Sequence, residues 1–434
     1  MFTNYEAAVD WIHSRLKFGV KPGLKRMEWL LEKFHHPEQK LQVIHVAGTN
    51  GKGSTVAYMR HILQEAGYKV GTFTSPYIET FNERISINGE PISANDMLKL
   101  VNEIKPFVDK IEETELGGPT EFEIITTMMY VYFGKYNKPD FLLLETGLGG
   151  RLDSTNIIEK PILSLITNVG YDHMNILGDT IEEIAAEKAG IIKDSVPVFT
   201  TAENRAALQV ITEVANTKNA PIHRYADEMK ILDHQSFEDG EKFSIQTSHR
   251  TYEDLFISMM GEHQTKNALL AVAAMDYLIQ TGIAHITEQQ IRKGLKHTMW
   301  KGRFEKVLTN PEVIIDGAHN IEGIESLVKT LERHYNNREI HFLVSVLEDK
   351  DYAAMISKLA SVATSMHFTT FDFPRATPSY KLYSVCSIEN KTFHDDWQDI
   401  LLELLNSYEN NDNSLIIIVG SLYFISLVRG YLLN

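Results

Sequence analysis

The amino-acid sequence predicts an α/β fold with two domains, 1–297 and 298–434. Apolar, β-branched runs alternate with amphipathic stretches through the first part of the chain, as in parallel sheets with crossover helices. A glycine-rich segment that contains a lysine follows the first of these runs. A second alternating set begins after Gly302 breaks a helical pattern. We therefore predict a phosphate-loop domain followed by a smaller, Rossmann-like α/β domain.

Each element of this fold has its own signal in the sequence. In the first domain VIHVAG, KVGTFTS, FLLLET and ILSLITN predict strands of a mainly parallel sheet. Residues 221–260 contain short apolar runs between polar turns, which predicts a small antiparallel sheet. Helical periodicity returns at 263–278, and Thr287 with Gln290 predicts a capping box at the start of the next helix. In the second domain VIIDGAHN, EIHFLVSV and SLIIIVGS predict further strands.

The composition is that of a globular protein and excludes several classes. The 434 residues are 43% hydrophobic and 23% charged, which is enough for a sizeable core. A formal charge of −16 argues against a general nucleic-acid-binding protein. The longest apolar run, 415–428, is interrupted by Gly420 and Ser421 and is too short to span a bilayer, so we expect no membrane partner. The single cysteine, the lack of a signal-peptide pattern and the lack of a long exposed apolar surface predict a cytoplasmic monomer.

The segment GTNGKGS, residues 48–54, is a candidate phosphate-binding loop. Its glycines let backbone N–H groups approach an anion, Lys52 supplies a cation, and the N-terminus of the helix that starts near Ser54 points at the phosphates. The alternative is a strand-to-helix turn whose glycines only ease packing. A lysine flanked by Gly51 and Gly53 directly after an apolar strand favours the phosphate loop. By itself such a loop leaves a kinase, a GTPase switch or a transporter ATPase open.

Polar residues at the ends of three other predicted strands are candidate metal ligands. Glu145 ends one strand, Asp172 and His173 follow another, and Ser75 follows a third. Carboxyl ends of parallel strands carry ligand-binding groups, and oxygen ligands suit Mg²⁺ bound with ATP phosphates. Each residue alone has a structural explanation, such as a solvated turn. Their joint placement after separate strands indicates a magnesium site.

Motifs along nearly the whole chain resemble those of one family. In chain order they are KPGLKRM, GTNGKGS, TSPYIETFNERI, TEFE, ETGLGGRLDSTN, DHMNILG, EKAGIIK, HQTKNA, GRFE, DGAHN, LEDKD and GSLYF. Their order and spacing are similar to those of the folylpolyglutamate synthases and dihydrofolate synthases, a branch of the Mur ligase superfamily. Tyr77, Lys301 and Ile321 depart from the pattern, because His, Pro and Pro are usual there. None of these departures removes a group that the family uses to contact nucleotide or metal.

The resemblance implies an N-terminal P-loop ATPase domain and a C-terminal glutamate-ligase domain. Such an enzyme would transfer the γ-phosphoryl group of ATP to a carboxylate, and the amine of L-glutamate would attack the acyl phosphate. The acceptor would be a reduced folate or dihydropteroate, and Mg²⁺ would bind at two sites. Because the acyl phosphate must be shielded from water, closure of a cleft between the domains is expected.

The resemblance also implies roles for individual residues. The residues expected to bind ATP are Thr49, Asn50, Gly51, Lys52, Gly53, Ser54, Asn267, Arg303 and Asp316. One Mg²⁺ would bind Ser75 and Glu145, and a second would bind His173. The residues expected near the folate are Thr120, Phe122, Leu152, Asp153 and Ser154. The incoming glutamate is expected near His319 and Ser421, and the catalytic residues would be Lys52, Lys188 and His319.

Lys188 lies in a predicted helix that begins with a capping box of Thr180 and Glu183. From the sequence alone, a solvated lysine that pairs with Glu183 or Glu187 is the simpler interpretation. The resemblance favours another, because the lysine of its EKAG segment would carry a carbamate. A neutral lysine amine can add CO₂, and the resulting anion could bind the second Mg²⁺ beside His173.

Two other functions remain open at this stage. A Mur-type ligase that acts on a cell-wall precursor is the nearer rival, and the Lys-Gly-Ser loop, TEFE and ETGLGGRLDSTN argue against it. A nucleotide-dependent switch or binding protein that hydrolyses ATP without ligation is the more distant rival. ATP hydrolysis that requires both a folate and glutamate would separate these alternatives.

Overall fold

The structure, a computed structural model, describes residues 1–19 and 21–433. The chain forms two compact units. The first comprises Met1–Leu232, Ser244–Leu255 and Lys266–Thr298, and the second comprises Asp233–Phe243, Phe256–Thr265 and Met299–Asn434. The segments 233–243 and 256–265 thus group with the C-terminal part of the chain, which the sequence pattern does not predict. The predicted domain boundary at 297/298 stays a prediction.

The elements up to residue 298 follow in chain order. The helices are α1 Tyr5–His13, α2 Lys25–Glu32, α3 Lys52–Glu65, α4 Ala94–Glu112, α5 Glu121–Val131, α6 Met174–Leu177, α7 Ile181–Ala189, α8 Arg205–Thr217, α9 Glu262–Gln280 and α10 Glu288–His297. The strands are β1 Val43–Ala47, β2 Val70–Phe73, β3 Ile85–Ile87, β4 Glu90–Pro91, β5 Phe141–Glu145, β6 Leu163–Ile166, β7 Val198–Thr200, β8 Ile222–Arg224, β9 Lys230–Phe237, β10 Gly240–Gln246 and β11 Thr251–Ile257.

The large sheet of the first unit has the order β4-β3-β2-β5-β1-β6-β7-β8. Strands β2, β5, β1, β6, β7 and β8 pair in parallel, and β3 and β4 pair antiparallel at one edge. Every residue of β1 and β5 is buried, which explains their continuous apolar runs, since a parallel sheet is covered on both faces. The predicted mainly parallel sheet is confirmed.

The small sheet has the order β11-β10-β9 and spans fewer residues than the predicted range 221–260. A two-residue connection joins β9 to β10, which makes this pair an antiparallel hairpin. The sequence pattern placed its start near 221, but β8 pairs in parallel with β7 and extends the large sheet instead. The small antiparallel sheet therefore runs from Lys230 to Ile257.

The second unit contains its own α/β sheet. Its helices are α11 Ile321–His334, α12 Tyr352–Ala360, α13 Ser379–Val385, α14 Trp397–Ser407 and α15 Leu422–Leu433, and its strands are β12 Glu305–Thr309, β13 Glu312–Asp316, β14 Glu339–Val344, β15 Ser365–Phe368, β16 Lys391–Phe393 and β17 Ser414–Val419. The strand order is β12-β13-β17-β14-β15-β16, with only β12 antiparallel to its neighbour. This arrangement confirms the predicted smaller α/β sheet.

A buried carboxylate explains why the segments 233–243 and 256–265 belong to the second unit. Glu241 of β10 is 0% exposed. It accepts hydrogen bonds from His334 Nε2 of α11 (3.0 Å), His234 Nε2 (2.7 Å), Ser236 Oγ (2.6 Å) and the Gly261 backbone N–H (2.7 Å). Burial by itself would raise the pKa of Glu241, but these hydrogen bonds, led by that of His334, lower it to about 2.

Candidate active site

The segment 48–54 forms a loop between β1 and α3, as the sequence predicts. Gly51 caps α3 with φ +84°, a left-handed conformation that glycine adopts without strain. A Cβ on Gly51 would lie 2.3 Å from Asn267 Oδ1, and one on Gly48 would lie 1.8 Å from Thr167 Oγ1. Glycine is therefore required at both positions. The first-turn N–H groups of α3 face this loop, as in a phosphate-binding site.

The side chain of Lys52 lies over its own loop. Its Nζ donates to the carbonyl oxygens of Gly48 (2.9 Å) and Thr49 (3.1 Å). An ammonium group held by loop carbonyls is positioned beside the first turn of α3. This placement suits an anion whose charge Lys52 would balance.

The structure brings the predicted metal-binding strand ends to one edge of the sheet. Phe73 of β2 pairs with Leu144 of β5, Glu145 pairs with Val46 of β1, and Ala47 pairs with Ile166 of β6. Glu145 is the last residue of β5, and the segments after β2, β1 and β6 carry Ser75, the phosphate loop and His173. Since neighbouring parallel strands end at the same edge, these groups belong to one region.

The oxygen atoms at this edge fit a hydrated Mg²⁺. Glu145 is 4% exposed, and the hydroxyl oxygens of Thr55 and Thr146 are buried without a hydrogen-bond partner in the described part of the chain. Within residues 1–19 and 21–433 no group of three or more His, Cys, Asp or Glu side chains could hold a metal ion. Mg²⁺ takes one or two carboxylates with water and substrate phosphates, so a site of this kind needs no larger cluster.

His173 has a strained backbone beside an acidic neighbour. Its φ is +51°, a left-handed conformation that is uncommon for a residue other than glycine. Its N–H donates to Asp172 Oδ1 (2.9 Å), and its Nε2 lies 3.8 Å from the same oxygen. A positive φ also occurs at nine other non-glycine residues in the described part of the chain, so the backbone conformation alone assigns no role to this loop.

Lys188 is buried, with 2% of its surface exposed. The predicted capping box of Thr180 and Glu183 begins α7, and Glu183 is therefore engaged at the helix start. Glu187 forms an ion pair with Arg151 (2.7 Å). Because the lysine is buried, a solvated surface lysine is the wrong interpretation.

Two of the predicted folate-side residues lie at the start of α5. Thr120 is its N-cap and forms a capping box with Glu123, which also pairs with Arg26 (2.8 Å). Phe122 is half-buried, and its ring lies so close to Gly147 that a Cβ there would be 2.5 Å from Cζ. The aromatic ring thus packs against the loop that follows Glu145.

The other predicted folate-side residues belong to that loop. Leu152 is half-buried, and Asp153 and Ser154 are buried. The Asp153 carboxylate accepts hydrogen bonds from Leu148 N (2.9 Å), Thr155 N (3.0 Å) and Thr155 Oγ1 (2.5 Å). Burial raises the pKa of Asp153, although these bonds oppose the shift. The buried carboxylate therefore stabilises the conformation of the loop through these hydrogen bonds.

A buried histidine on β1 supports the same loop. His45 Nε2 lies 2.9 Å from Thr155 Oγ1. Because that hydroxyl donates its hydrogen to Asp153, the imidazole donates from Nε2. Burial, with a smaller effect of Lys193, lowers the pKa of His45 to about 3, so the ring is neutral near pH 7.

The predicted residues of the second unit lie at the carboxyl ends of β13 and β17. Asp316 accepts hydrogen bonds from Phe304 N and Ala318 N, both at 2.8 Å. Burial raises the pKa of Asp316, and the nearby Arg303 guanidinium opposes that shift. His319 Nδ1 donates to the Gly317 carbonyl oxygen (2.7 Å), which fixes its ring.

Ser421 follows β17 and is 2% exposed. Its hydroxyl and that of Ser345, which follows the neighbouring β14, are buried without a hydrogen-bond partner among residues 1–19 and 21–433. Buried hydroxyls are normally satisfied, so these two oxygens retain hydrogen-bonding capacity that the described residues do not fill.

Sequence reasoning missed several residues that hold the phosphate loop. Thr167, Asn168 and Gly170 follow β6 and bond to residues 49 and 50. Their signal was the polar segment directly after an apolar strand, ILSLITN, but nothing in that segment specifies its partner. Thr55, Thr146 and Ser345 were missed because a single hydroxyl has too many ordinary roles.

Comparisons with known proteins agree with this geometry. Residues 46–275 match the family model described as Mur ligase middle domain, and residues 302–422 match Mur ligase, glutamate ligase domain. The chain is 50% identical over 429 residues to the dihydrofolate synthase/folylpolyglutamate synthase of Bacillus subtilis, with 99% of each chain covered.

Solved structures show the same fold. The Mycobacterium tuberculosis folylpolyglutamate synthase complexed with ADP and AMPPCP superposes with a TM-score of 0.91 at 28% identity, covering 99% of each chain. An FPGS–AMPPCP–folate complex has a TM-score of 0.85 at 32% identity and covers 100% of both chains. No helix in residues 1–19 and 21–433 has the length and apolar character needed to cross a membrane. The chain belongs to the Mur ligase family, in the branch of the folylpolyglutamate and dihydrofolate synthases.

Proposed function

We propose that this chain is an ATP-dependent ligase that adds L-glutamate to folates. One observation carries the proposal: a phosphate loop with Lys52 lies beside Glu145 on adjacent strands of a Mur ligase domain. The relatives are named for this reaction, and the solved structures include complexes with AMPPCP, one of which also holds folate. ATP and a folate are thus the expected substrates.

The reaction needs an activated carboxylate. An amine cannot readily displace oxide from a carboxylate anion, so the γ-phosphoryl group of ATP is first transferred to it, giving an acyl phosphate. The amine of L-glutamate attacks the acyl carbon, phosphate leaves with the bonding electrons, and an amide forms. Phosphoryl transfer depends mainly on positioning and charge neutralisation, which are the roles proposed for the α3 N-terminus and Lys52.

We assign the metal-binding roles to this chain's own oxygen and nitrogen groups. Ser75 and Glu145 would hold one Mg²⁺, and His173 with a carbamate on Lys188 would hold the second. When bound, Mg²⁺ supplies positive charge to the phosphate oxygens. Lys188 is buried, and a carbamate anion there would need the positive charge of the bound Mg²⁺ to offset its loss of solvation.

The remaining roles follow the family pattern. Asn267, Arg303 and Asp316 would also contact the nucleotide. His319 and Ser421 would bind the incoming glutamate, a role that the buried, unbonded Ser421 hydroxyl supports. The pterin-bearing substrate would lie near Phe122 and the loop 152–154.

Three further properties stay proposals. Dihydropteroate is proposed as a second acceptor, in addition to reduced folates, because TEFE and LDS match segments that the family places near the pterin. The enzyme is proposed to act as a monomer. A single buried cysteine, Cys386, supports a reducing, cytoplasmic setting.

An ADP-release assay tests the function. The purified chain is supplied with Mg²⁺, ATP and L-glutamate, together with dihydropteroate, tetrahydrofolate or its mono- and diglutamates, and the products are identified by mass. We expect ADP release only when a folate and glutamate are both present. ATP hydrolysis independent of both would favour the switch or binding protein, and glutamate added to tetrahydrofolate but never to dihydropteroate would restrict the enzyme to chain extension.

A further inference from the structure

The phosphate loop and the loop after β6 are joined beyond the ends of their strands. We call this contact, between residues 48–51 and 167–170, the loop junction. Thr49 N donates to the Asn168 carbonyl oxygen (3.0 Å), and Asn50 N donates to Asn168 Oδ1 (2.7 Å). In the opposite direction Thr167 Oγ1 donates to the Asn50 carbonyl oxygen (2.5 Å).

Thr49 makes the contact nearest to the proposed metal ligand. Its hydroxyl donates to the Gly170 carbonyl oxygen (3.1 Å) and accepts from the Gly170 N–H (3.0 Å). A hydroxyl has one hydrogen, and the backbone N–H of Thr49 already bonds to Asn168. Both donors of Thr49 therefore face the second loop, and neither is available to a phosphate in this arrangement.

Gly170 lies three positions before His173, whose left-handed backbone must be held by its surroundings. The two hydrogen bonds of Thr49 fix the start of the segment that leads to this residue. The Thr49 hydroxyl and the N–H and C=O groups of Gly170 thus link the two loops directly.

We propose that Thr49 is a positioning residue that couples the phosphate loop to the segment carrying Asp172 and His173. It would keep the second proposed metal ligand in register with bound phosphates, while the phosphates themselves are bound by N–H groups from Gly51 onward. This inference rests on the proposed function for the role of His173, but the coupling itself is a property of the protein without ligands.

Hydrogen exchange tests the coupling in the full-length protein with neither nucleotide nor metal. Thr49→Val keeps the shape of the side chain and removes its hydroxyl. Two hydrogen bonds are lost, so amides in 168–174 should exchange roughly tenfold faster or more. Thr49→Ser keeps the hydroxyl and should retain protection within about twofold of the unmodified chain.

The second measurement separates positioning from direct nucleotide binding. In Thr49→Val the Mg²⁺ concentration for half-maximal turnover should rise roughly tenfold, while the dissociation constant of ADP without Mg²⁺ should change less than about twofold. Thr212→Val is the matched control, because Thr212 Oγ1 also donates to a backbone carbonyl, that of Leu208 in α8 (2.7 Å). This control should change neither quantity.

Unchanged exchange in 168–174 for Thr49→Val, or an equal loss of metal-free and metal-dependent nucleotide affinity, would overturn the inference. If Thr49→Val does not fold, Thr49→Ala removes the same two hydrogen bonds with a smaller side chain and should give the same loss of protection. Failure of the proposed function has a separate signature, since it would leave the unmodified chain without folate-dependent ADP release whatever the exchange data show.

Discussion

Lys52 illustrates how much of the proposed chemistry depends on single side chains. Its ammonium group is held by two loop carbonyls and makes no contribution to the apolar core. At the residue scale, removing such a group should therefore affect ligand chemistry far more than folding.

Lys52→Ala should lower folate-dependent ADP release by roughly 10²–10³-fold or more, because charge stabilisation of the transferring phosphoryl group is lost. Thermal unfolding should stay close to that of the unmodified chain. Lys40→Ala, at an exposed lysine, is the control and should keep full activity. Ligation at the normal rate by Lys52→Ala would contradict the phosphate-loop assignment.

Lys188→Ala should abolish turnover, with partial recovery when small carboxylates such as acetate or formate are added, since these can replace the carbamate anion. Native mass spectrometry with bicarbonate should show the added mass of CO₂ on the chain that retains Lys188 and no such addition on Lys188→Ala. Lys193→Ala, on the same stretch of chain, is a control for the site of modification. An unmodified Lys188 ammonium in a well-resolved structure determined with bicarbonate would disprove the carbamate.

At the scale of elements, the hairpin of β9 and β10 is held by the Glu241 carboxylate, whose importance no local sequence pattern predicts. Glu241 accepts bonds from the hairpin, from Gly261 and from His334 of α11. A buried charge with several donors is costly to disturb, because each donor would be left without its acceptor.

Glu241→Gln should therefore lower the free energy of unfolding by about 2–4 kcal/mol. It should also increase hydrogen exchange in 233–243, measured beside urea unfolding. Glu238→Gln, at an exposed position of the same hairpin, should have little effect. Equal stability of both variants would show that Glu241 has no structural role.

The pH dependence of this element has a definite sign. The pKa of Glu241 is about 2 in the folded protein, below its ordinary value near 4.5. A lowered carboxyl pKa stabilises the fold above the ordinary value, and this contribution is lost as the pH falls from about 4.5 towards 2. The loss should be absent in Glu241→Gln.

At the scale of the whole molecule, buried histidines predict sensitivity to milder acid. Burial lowers the pKa of His45 to about 3 and that of both His341 and His367 to about 4. In the unfolded chain these histidines bind protons as the pH falls through about 6.5, whereas in the folded protein they stay neutral at that pH. Stability should thus fall as the pH drops from about 6.5 towards 4, by up to about 1.4 kcal/mol per pH unit for each histidine.

Urea unfolding at pH 7, 6 and 5 measures this slope. A His341→Asn, His367→Asn double variant should show a shallower decline, since two of the groups no longer titrate. His249, which is exposed, provides a matched histidine substitution as the control. A pH-independent free energy of unfolding over this range would contradict the prediction.

The sequence alone determined those features that depend on neighbouring residues. Apolar runs located β1, β5, β6 and β17, because strands buried on both faces consist mostly of apolar residues. The Thr180 capping box was predictable because its partner lies three residues away. The phosphate loop followed from glycines and a lysine next to a strand, and the family motifs gave the class of reaction.

Only the tertiary structure decided features that join distant parts of the chain. Thr49 and Gly170 are 121 residues apart, and Glu241 and His334 are 93 apart. The burial of Lys188 and the addition of β8 to the large sheet likewise depend on what packs against them. Local patterns encode which conformation a segment favours, whereas hydrogen-bond partners and burial depend on the chain path between segments, so the loop junction and the Glu241 contacts could be found only in the folded protein.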